Sequence, residues 1–581
     1  MTLAALLVFH ALLCNPYWET ASKALRPDGK TYQERRIYYG FDGLPLDRVS
    51  QRLNGLLPLE SPVALSEGIR TGGLEQRYFE ALYPRIVDPA AVYTLDVVDA
   101  RSAKGESGTV LFQDSPSRAF LLKGPAPRTP VRTAATEDFK ISWFAFTALT
   151  LGAIGYGTLL LALLERNSAT LVLPATAVLA GALVLGWIVT VATWFQVPLP
   201  WKVLGLAGIL CCLVRSLVIL RRSETRQIYL GFFSQAARLP ENWALLLIVV
   251  LFFAQVAVFP VSMWDGRSVW LFHTKQIFFQ GMFSKADLLH RPSEWSHPDY
   301  PLLFPGWLSF FSSFSQPYNE RMASLGIPVL VASLVSLAWF LLRRQIGRWS
   351  GAAVTLASFF AIARMTGGGY ADGILMFLLL VEFIAFLSPT YYKIGWVAAG
   401  AAALLKAEGL VFASVIIILC LVWHRRLQYR NPQIFLVSSL FVVPAMLHII
   451  WTRSVGLRGT YPTFHRIESL GDLVWRCSTI DVEALKLLQF GGYIRAQALL
   501  WEGLVGLILA LACWIALKGW DFRGKFSILL ACAFYSVAYL MMLLTPYDLK
   551  GQVASAFDRL LFHAAVVCLL APFLMLGTAR R

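Results

Sequence analysis

Charge is what this chain has least of. Asp, Glu, Lys and Arg make up 15% of its 581 residues, against 57% hydrophobic residues, where an ordinary soluble domain carries about 25% charged residues. That scarcity excludes a water-surrounded globule as well as a highly charged disordered chain. Cysteine offers no scaffold either. Of the eight cysteines, Cys211, Cys212, Cys420, Cys513, Cys532 and Cys568 lie in apolar runs, so neither a disulfide framework nor a metal-ligand spacing is implied. Cys14 follows an apolar stretch, but Leu13 is too large for a good lipoprotein cleavage site. No internal repeat and no glycine-rich nucleotide loop is visible.

What the chain has instead is a succession of uncharged apolar runs of about 20 residues, each long enough to cross a hydrocarbon core of roughly 30 Å. The expected fold class is an α-helical polytopic membrane protein. The net charge of +16 suits a nucleic-acid binder. Lys and Arg nevertheless collect in short loops, as expected for cytoplasmic loops of a membrane protein, so no nucleic-acid partner is expected.

Residues 1–14 are apolar but short, and read as an anchor, a signal segment or the tail of a span. Residues 15–140 are polar with Pro-rich ends and read as a small α/β domain. In it "PLDRVSQRLNGLL" has helical spacing, and "PVALSEG", "AVYTLDVVDA", "TVLFQ" and "RAFLLKG" read as strands. Residues 141–242 hold accessory transmembrane helices and a cytoplasmic loop. Residues 243–581 form the main transmembrane part, with a large outer loop over 264–321. Spans are expected at about 141–164, 169–195, 203–220, 243–263, 322–342, 351–363, 373–388, 394–405, 409–423, 434–452, 498–517, 526–545 and 560–577. With 1–14 that makes about 13 to 14 segments. The pairs 351–363 with 373–388 and 394–405 with 409–423 are too short to cross singly. They read as hairpins whose outer turns dip into the bilayer, which irregular backbone tolerates only where protein or a water-filled cavity covers it. The stretch 302–318 reads as a helix lying in the membrane interface.

Placing 15–140 outside puts Arg166, Arg221, Arg222, Arg226, Arg343, Arg344, Arg348, Lys393, Arg425, Arg426, Arg430, Lys518, Arg523, Lys525, Arg580 and Arg581 inside. The same orientation carries Asp265, His297, Asp299, Asp372, Glu408, Arg453, Arg458, Asp548, Asp558 and Arg559 to the outer face from five loops, which points to a common cavity there.

Each constellation carries two readings. In "WDGRSVW", Asp265 is either interfacial solvation between the aromatic anchors Trp264 and Trp270 or a general base for an attacking hydroxyl. Arg267, His273 and Lys275 nearby offer positive charge for an anionic leaving group. In "HPDYP", His297 and Asp299 are held by two prolines, as a rigid turn, a second acid or the beginning of a divalent-metal site, though two ligands name no metal. In "GGGYADG" the glycines permit close approach, and Asp372 reads as a helix cap or a site acid. In "LLKAEGL", Lys406 and Glu408 interrupt an apolar hairpin, as a structural pair or as functional groups. In "TPYDLKGQVASAFDRLLFH", Asp558 and Arg559 enter the last span, where an arginine can clamp phosphate. Arg453, Arg458 and Arg466 offer the same chemistry, with plain solvation as the alternative.

These motifs, in this order over 243–577, resemble the GT-C superfamily of integral membrane glycosyltransferases. They are most similar to the bacterial dolichyl-phosphate-mannose mannosyltransferase-like group (glycosyltransferase 39, RgtA/B/C/D-like). The resemblance implies a multi-pass protein of the inner (plasma) membrane with an extracytoplasmic site. There a sugar passes, with inversion, from a polyprenyl-phosphate donor to a hydroxyl of a glycan, lipid or protein acceptor. It implies Asp265 as the loop-one acid and Asp299 as the second acid. Lys406, Arg559, Arg453 and Lys275 would contact the donor phosphate, with His297, Asp372, Glu408, Asp558, Trp264 and Trp270 in support. His273 stands where the family pattern has a lysine. Metal dependence varies among such enzymes and leaves a divalent ion open. Rival readings are an O-antigen ligase or polymerase, which favours a larger late outer loop than 453–497, and a transporter or flippase, which favours repeated halves. A non-catalytic assembly protein, with 15–140 as its binding module, is a further reading.

Overall fold

The structure, a computed structural model, describes residues 32–35, 44–57, 61–71, 75–83, 85, 87–98, 108–115, 118–125, 139–164, 174–221, 227, 239–290, 295–315, 318–388, 390–422, 441–457 and 522–543, together with Leu560, His563, Val567 and Leu570. The expected segments 1–14 and 498–517, and most of 560–577, lie outside the described residues.

Near the N-terminus, helix α1 (Leu46–Leu56) buries Leu46, Val49 and Leu53 on one face, the spacing of an amphipathic helix. Strands β1 (Val63–Leu65), β2 (Tyr93–Val98), β3 (Thr109–Ser115) and β4 (Arg118–Lys123) form one sheet in the order β1-β2-β4-β3. The β1–β2 pair is parallel and the other two pairs are antiparallel. Helix α2 (Glu75–Leu82) adds Tyr78, Phe79 and Leu82 to the same apolar core. Trp295, from the later loop, packs onto that core.

The remainder is helical. Helices α3 (Trp143–Leu164), α4 (Pro174–Phe195), α5 (Trp201–Arg221) and α6 (Pro240–Val258) come first. A six-residue π-helical turn, Gly266–Leu271, leads into α7 (Phe272–Gln280), and α8 (Leu303–Phe311) follows. Then come α9 (Gly326–Ile346), α10 (Arg348–Gly367), α11 (Asp372–Phe386), α12 (Tyr392–Leu405), α13 (Ala407–Val422), α14 (Val443–Ser454) and α15 (Phe522–Leu543). Among the described residues five helical runs are long and apolar enough to cross a membrane: Trp143–Leu163, Pro174–Phe195, Trp201–Arg221, Pro240–Val258 and Glu320–Ile346.

The hairpins define two ends. At one, Arg344 lies over Tyr391 at 5.4 Å and Arg348 pairs with Glu241, joining the starts of α6, α10 and α12. At the other, the α10–α11 turn, the α12–α13 break at Lys406 and the π-helical turn meet. The 302–318 expectation needs correcting. The helix there is nine residues long and every one is buried by protein. Gly306 lets it press on Val189, and Trp307 donates to the Gly326 carbonyl at 2.7 Å, so its aromatic face is core.

Small residues set the α3–α4–α5 contacts, as is common where lipid gives apolar surfaces no reason to leave it. A Cβ added at Gly157 would stand 1.7 Å from the Ala177 carbonyl oxygen, and one at Gly155 would stand 2.0 Å from that of Gly208. Gly157→Val therefore forces helix backbones apart, and overpacking of this kind costs about 1–3 kcal/mol or more. The full-length protein in detergent is expected to melt several degrees lower, while Leu163→Val, at a position 79% exposed, leaves the midpoint unchanged.

Candidate active site

The segment that carries Asp265 is fixed by contacts at the backbone. Asp265 opens the π-helical turn without capping it, and π turns often mark functional positions. The next residue, Gly266, touches the α10–α11 turn so closely that a Cβ would lie 2.3 Å from the Gly368 oxygen. The Met263 N–H donates to that same oxygen at 3.2 Å. Gly369 adopts a φ of 96°, a conformation that L side chains resist. The glycines of "GGGYADG" thus dock one motif directly on the other.

The second motif is a turn. Tyr300 N–H donates to the His297 carbonyl at 3.0 Å, with Pro298 at the position where its fixed φ suits a turn. His297 itself has a φ of 54°, a left-handed conformation that strains a non-glycine residue by about 1–2 kcal/mol. Its ring stacks on Tyr300 at 4.7 Å. Trp270 also stacks on Tyr300, at 5.5 Å, and the Lys406 ammonium lies 5.9 Å from the same ring. Trp270 is only 2% exposed; it is a support for this turn rather than the interfacial anchor expected of it.

Lys406 is the extended residue between α12 and α13. Its Nζ bonds Asp372 Oδ1 at 2.9 Å and Glu408 Oε1 at 3.3 Å. Asp372 is the first residue of α11 rather than its N-cap, which is Ala371, and its carboxylate accepts from Lys406. Burial lowers the pKa of His297, the carboxylates of Asp299 and Asp265 pull it back up, Lys406 lowers it and Glu408 raises it. Asp265, His297, Asp299, Lys406, Glu408 and Asp372 therefore form one connected electrostatic cluster. Two histidines that lie singly in apolar runs border it. The charge of Asp299 is felt at His448, and those of Asp372 and Lys406 at His563, whose ring packs on Phe412 at 5.1 Å. Neither was distinguishable from a buried core histidine by sequence, beyond being polar within an apolar run. Tyr300 lay inside a quoted motif, but only the fold makes it the shared surface.

The basic residues expected beside Asp265 are engaged elsewhere. Arg267 is wholly buried. It donates to Glu80 Oε2 at 3.2 Å, to Glu320 Oε1 and Oε2 at 3.0 and 3.1 Å, and to the Val261 carbonyl at 3.0 Å. Lys275 is buried and donates to the Glu80 carbonyl at 3.0 Å. His273 meets Ser296 Oγ at 3.1 Å and Phe283 at 4.8 Å, and burial pushes its pKa down to about 3, so it is neutral near pH 7. Trp264 remains partly exposed and donates to Gln76 Oε1 at 2.8 Å. Arg453 is exposed in the last turn of α14. Asp558, Arg559, Arg458, Arg466 and Asp548 lie outside the described residues. Among the described residues no group of three or more His, Cys, Asp or Glu side chains is arranged to hold a metal ion.

Chemically, the cluster offers carboxylates able to take a proton from a hydroxyl and a lysine able to face an anion. Asp372 and Glu408 both pair with that lysine, and Asp265 and Asp299 act on the neighbouring His297, so carboxylates outnumber cations among the described residues of the cluster. No protein-family model, curated protein or solved structure matches the chain.

Removing the buried cation leaves Glu80 and Glu320 facing each other without compensation, which typically costs about 3–5 kcal/mol. Arg267→Met is expected to lower the melting midpoint sharply, and adding Glu80→Gln with Glu320→Gln is expected to restore much of it; thermal unfolding of the three proteins decides. The His273 imidazole gives a pH signature. The folded protein protonates it only near pH 3, whereas an unfolded chain does so near 6.5. Between those values the unfolded state binds more protons, so stability falls as pH falls through that window. A His273→Gln variant is expected to show a flatter acid limb in melting temperature against pH than the wild type.

Proposed function

We propose that this chain is a membrane glycosyltransferase of GT-C type. It transfers a sugar from a polyprenyl-phosphate donor to an acceptor hydroxyl at the extracytoplasmic face, with inversion. The observation that carries this reading is the convergence of Asp265, His297, Asp299, Asp372, Lys406 and Glu408 from three separate loops at one end of an apolar helical bundle. Charged groups at such positions are costly and are retained chiefly for function. The sheet unit near the N-terminus belongs outside in this scheme, because Arg343, Arg344, Arg348 and Lys393 gather at the far end of the bundle, as cytoplasmic loops do.

In this reading Asp265 accepts the proton of the attacking hydroxyl as the bond to the sugar forms. Asp299, across His297, orients the acceptor and shares the charge. Lys406, held by Asp372 and Glu408, faces the departing lipid phosphate. Further counter-charge comes in this reading from Arg559, as the resemblance implies. Lys275, bound to the Glu80 carbonyl, has no part in this scheme. The left-handed conformation of His297 persists only because its surroundings hold it, through the stack on Tyr300 and the turn hydrogen bond, which fixes the acid turn for a group that must be aimed.

Loss of a positioned base typically costs roughly 100- to 10,000-fold in rate. Membranes containing the protein are supplied with radiolabelled polyprenyl-phosphate sugars, and transfer to endogenous acceptor is counted. The wild type is expected to transfer label, Asp265→Asn to lose it by that factor, and Lys406→Met to lose it comparably. A wild type inert with every donor overturns the reaction. An active wild type matched by Asp265→Asn overturns only the assignment of the base.

A further inference from the structure

Away from the acid cluster, a pocket of about 440 Å³ opens where α5 begins, lined by Trp201, Lys202, Phe278, Phe279, Ser313 and Ser315. Three of its features favour an anion. The first N–H groups of a helix have no carbonyl partner within it. Here Leu204 is the first residue to bond back, to Pro200, so the N–H groups of Trp201, Lys202 and Val203 precede the ladder at the positive end of a 21-residue helix. Lys202 is exposed beside them and forms no ion pair among the described residues. Ser313, 2% exposed, lines the pocket, and its Oγ has no hydrogen-bond partner among the described residues.

The pocket is built on fixed backbone. Gln196 is held at a φ of 53° and its amide bonds both the Thr193 carbonyl and the Lys285 N–H, at 2.7 and 2.8 Å. The Leu199 N–H donates to Gly281 at 2.9 Å. Below the pocket, Val203, Leu206, Leu210, Leu213 and Leu217 are each between 57% and 61% exposed. Their spacing of three and four residues makes one continuous helix face. Of the five membrane-length runs, the one formed by α5 is the least buried by protein, at 17%. The anion-favouring mouth and the long apolar stripe are thus consecutive along one helix.

We infer that this pocket binds the phosphodiester of a membrane phospholipid. Lys202 and the first-turn N–H groups take the phosphate charge, Ser313 donates its hydroxyl, and the rings of Trp201, Phe278 and Phe279 flank the glycerol. The acyl chains lie along the exposed face of α5. The site is distinct from the acid cluster and does not depend on the proposed reaction.

The test uses the full-length protein in detergent, with phosphatidylglycerol titrated and bound lipid counted by native mass spectrometry. Soluble glycerol phosphate serves as competitor. The wild type is expected to retain one tightly held phosphatidylglycerol that equimolar glycerol phosphate does not displace. Lys202→Ala and Ser313→Ala are each expected to weaken retention roughly tenfold, as loss of a hydrogen bond to a charged group does, at unchanged melting temperature. Variants that retain lipid as the wild type does overturn the site. Displacement by glycerol phosphate overturns the membrane lipid as its occupant.

Discussion

One guanidinium, with two carboxylates brought to it from distant parts of the chain, sets the arrangement at the end of the bundle that carries the acid cluster. Arg267 stands on the π-helical turn, Glu80 on a helix of the N-terminal sheet unit, and Glu320 at the head of the α9 run. Buried ion pairs add little net stability, because desolvation of the charges offsets their attraction. Their geometry is nonetheless exacting, and a bidentate guanidinium fixes direction as well as distance. Asp265 lies two residues before this pin. Its position relative to the bundle follows from a contact in which it takes no part.

The other side of the site depends on what side chains leave out. Gly266 against Gly368 brings two backbones together where a single methyl group would not fit. The one-residue break at Lys406 turns the chain so sharply that Gly409 meets the Ala402 carbonyl. The acid-bearing loop and the lysine-bearing hairpin therefore reach the same ring of Tyr300 by different routes, one through absent side chains and one through a sharp backbone break. Tyr300 is where the routes meet, touched by Trp270, His297 and Lys406.

Much of the helical architecture was legible because apolar runs of membrane length carry a strong signal, and strands such as Tyr93–Val98 and Arg118–Lys123 were legible from β-branched and aromatic alternation bounded by turn residues. The motif residues were legible because ionisable groups stand out against apolar sequence. Their partners were not. Glu80 and Glu320 lie in ordinary polar stretches, and nothing local marks either as the counter-ion of Arg267. For the same reason Arg267 and Lys275 looked like available cations, when the fold encloses both. The helix at 303–311 carries the aromatic face of an interfacial element, and only tertiary packing against Val189 and Gly326 makes it core. His448 and His563 became meaningful only once their neighbours were known.

The pin at Arg267 also carries a timetable. Its partners are separated from it by 187 and 53 residues, so synthesis delivers them in the order Glu80, Arg267, Glu320. A nascent chain halted between the second and third would hold a guanidinium with only one of its two carboxylate partners, so the Nη hydrogen bonds to Glu320 would be unmade as its N-terminal unit docked. Completion of the guanidinium's hydrogen bonds thus couples docking of the first-made part to emergence of the middle of the chain.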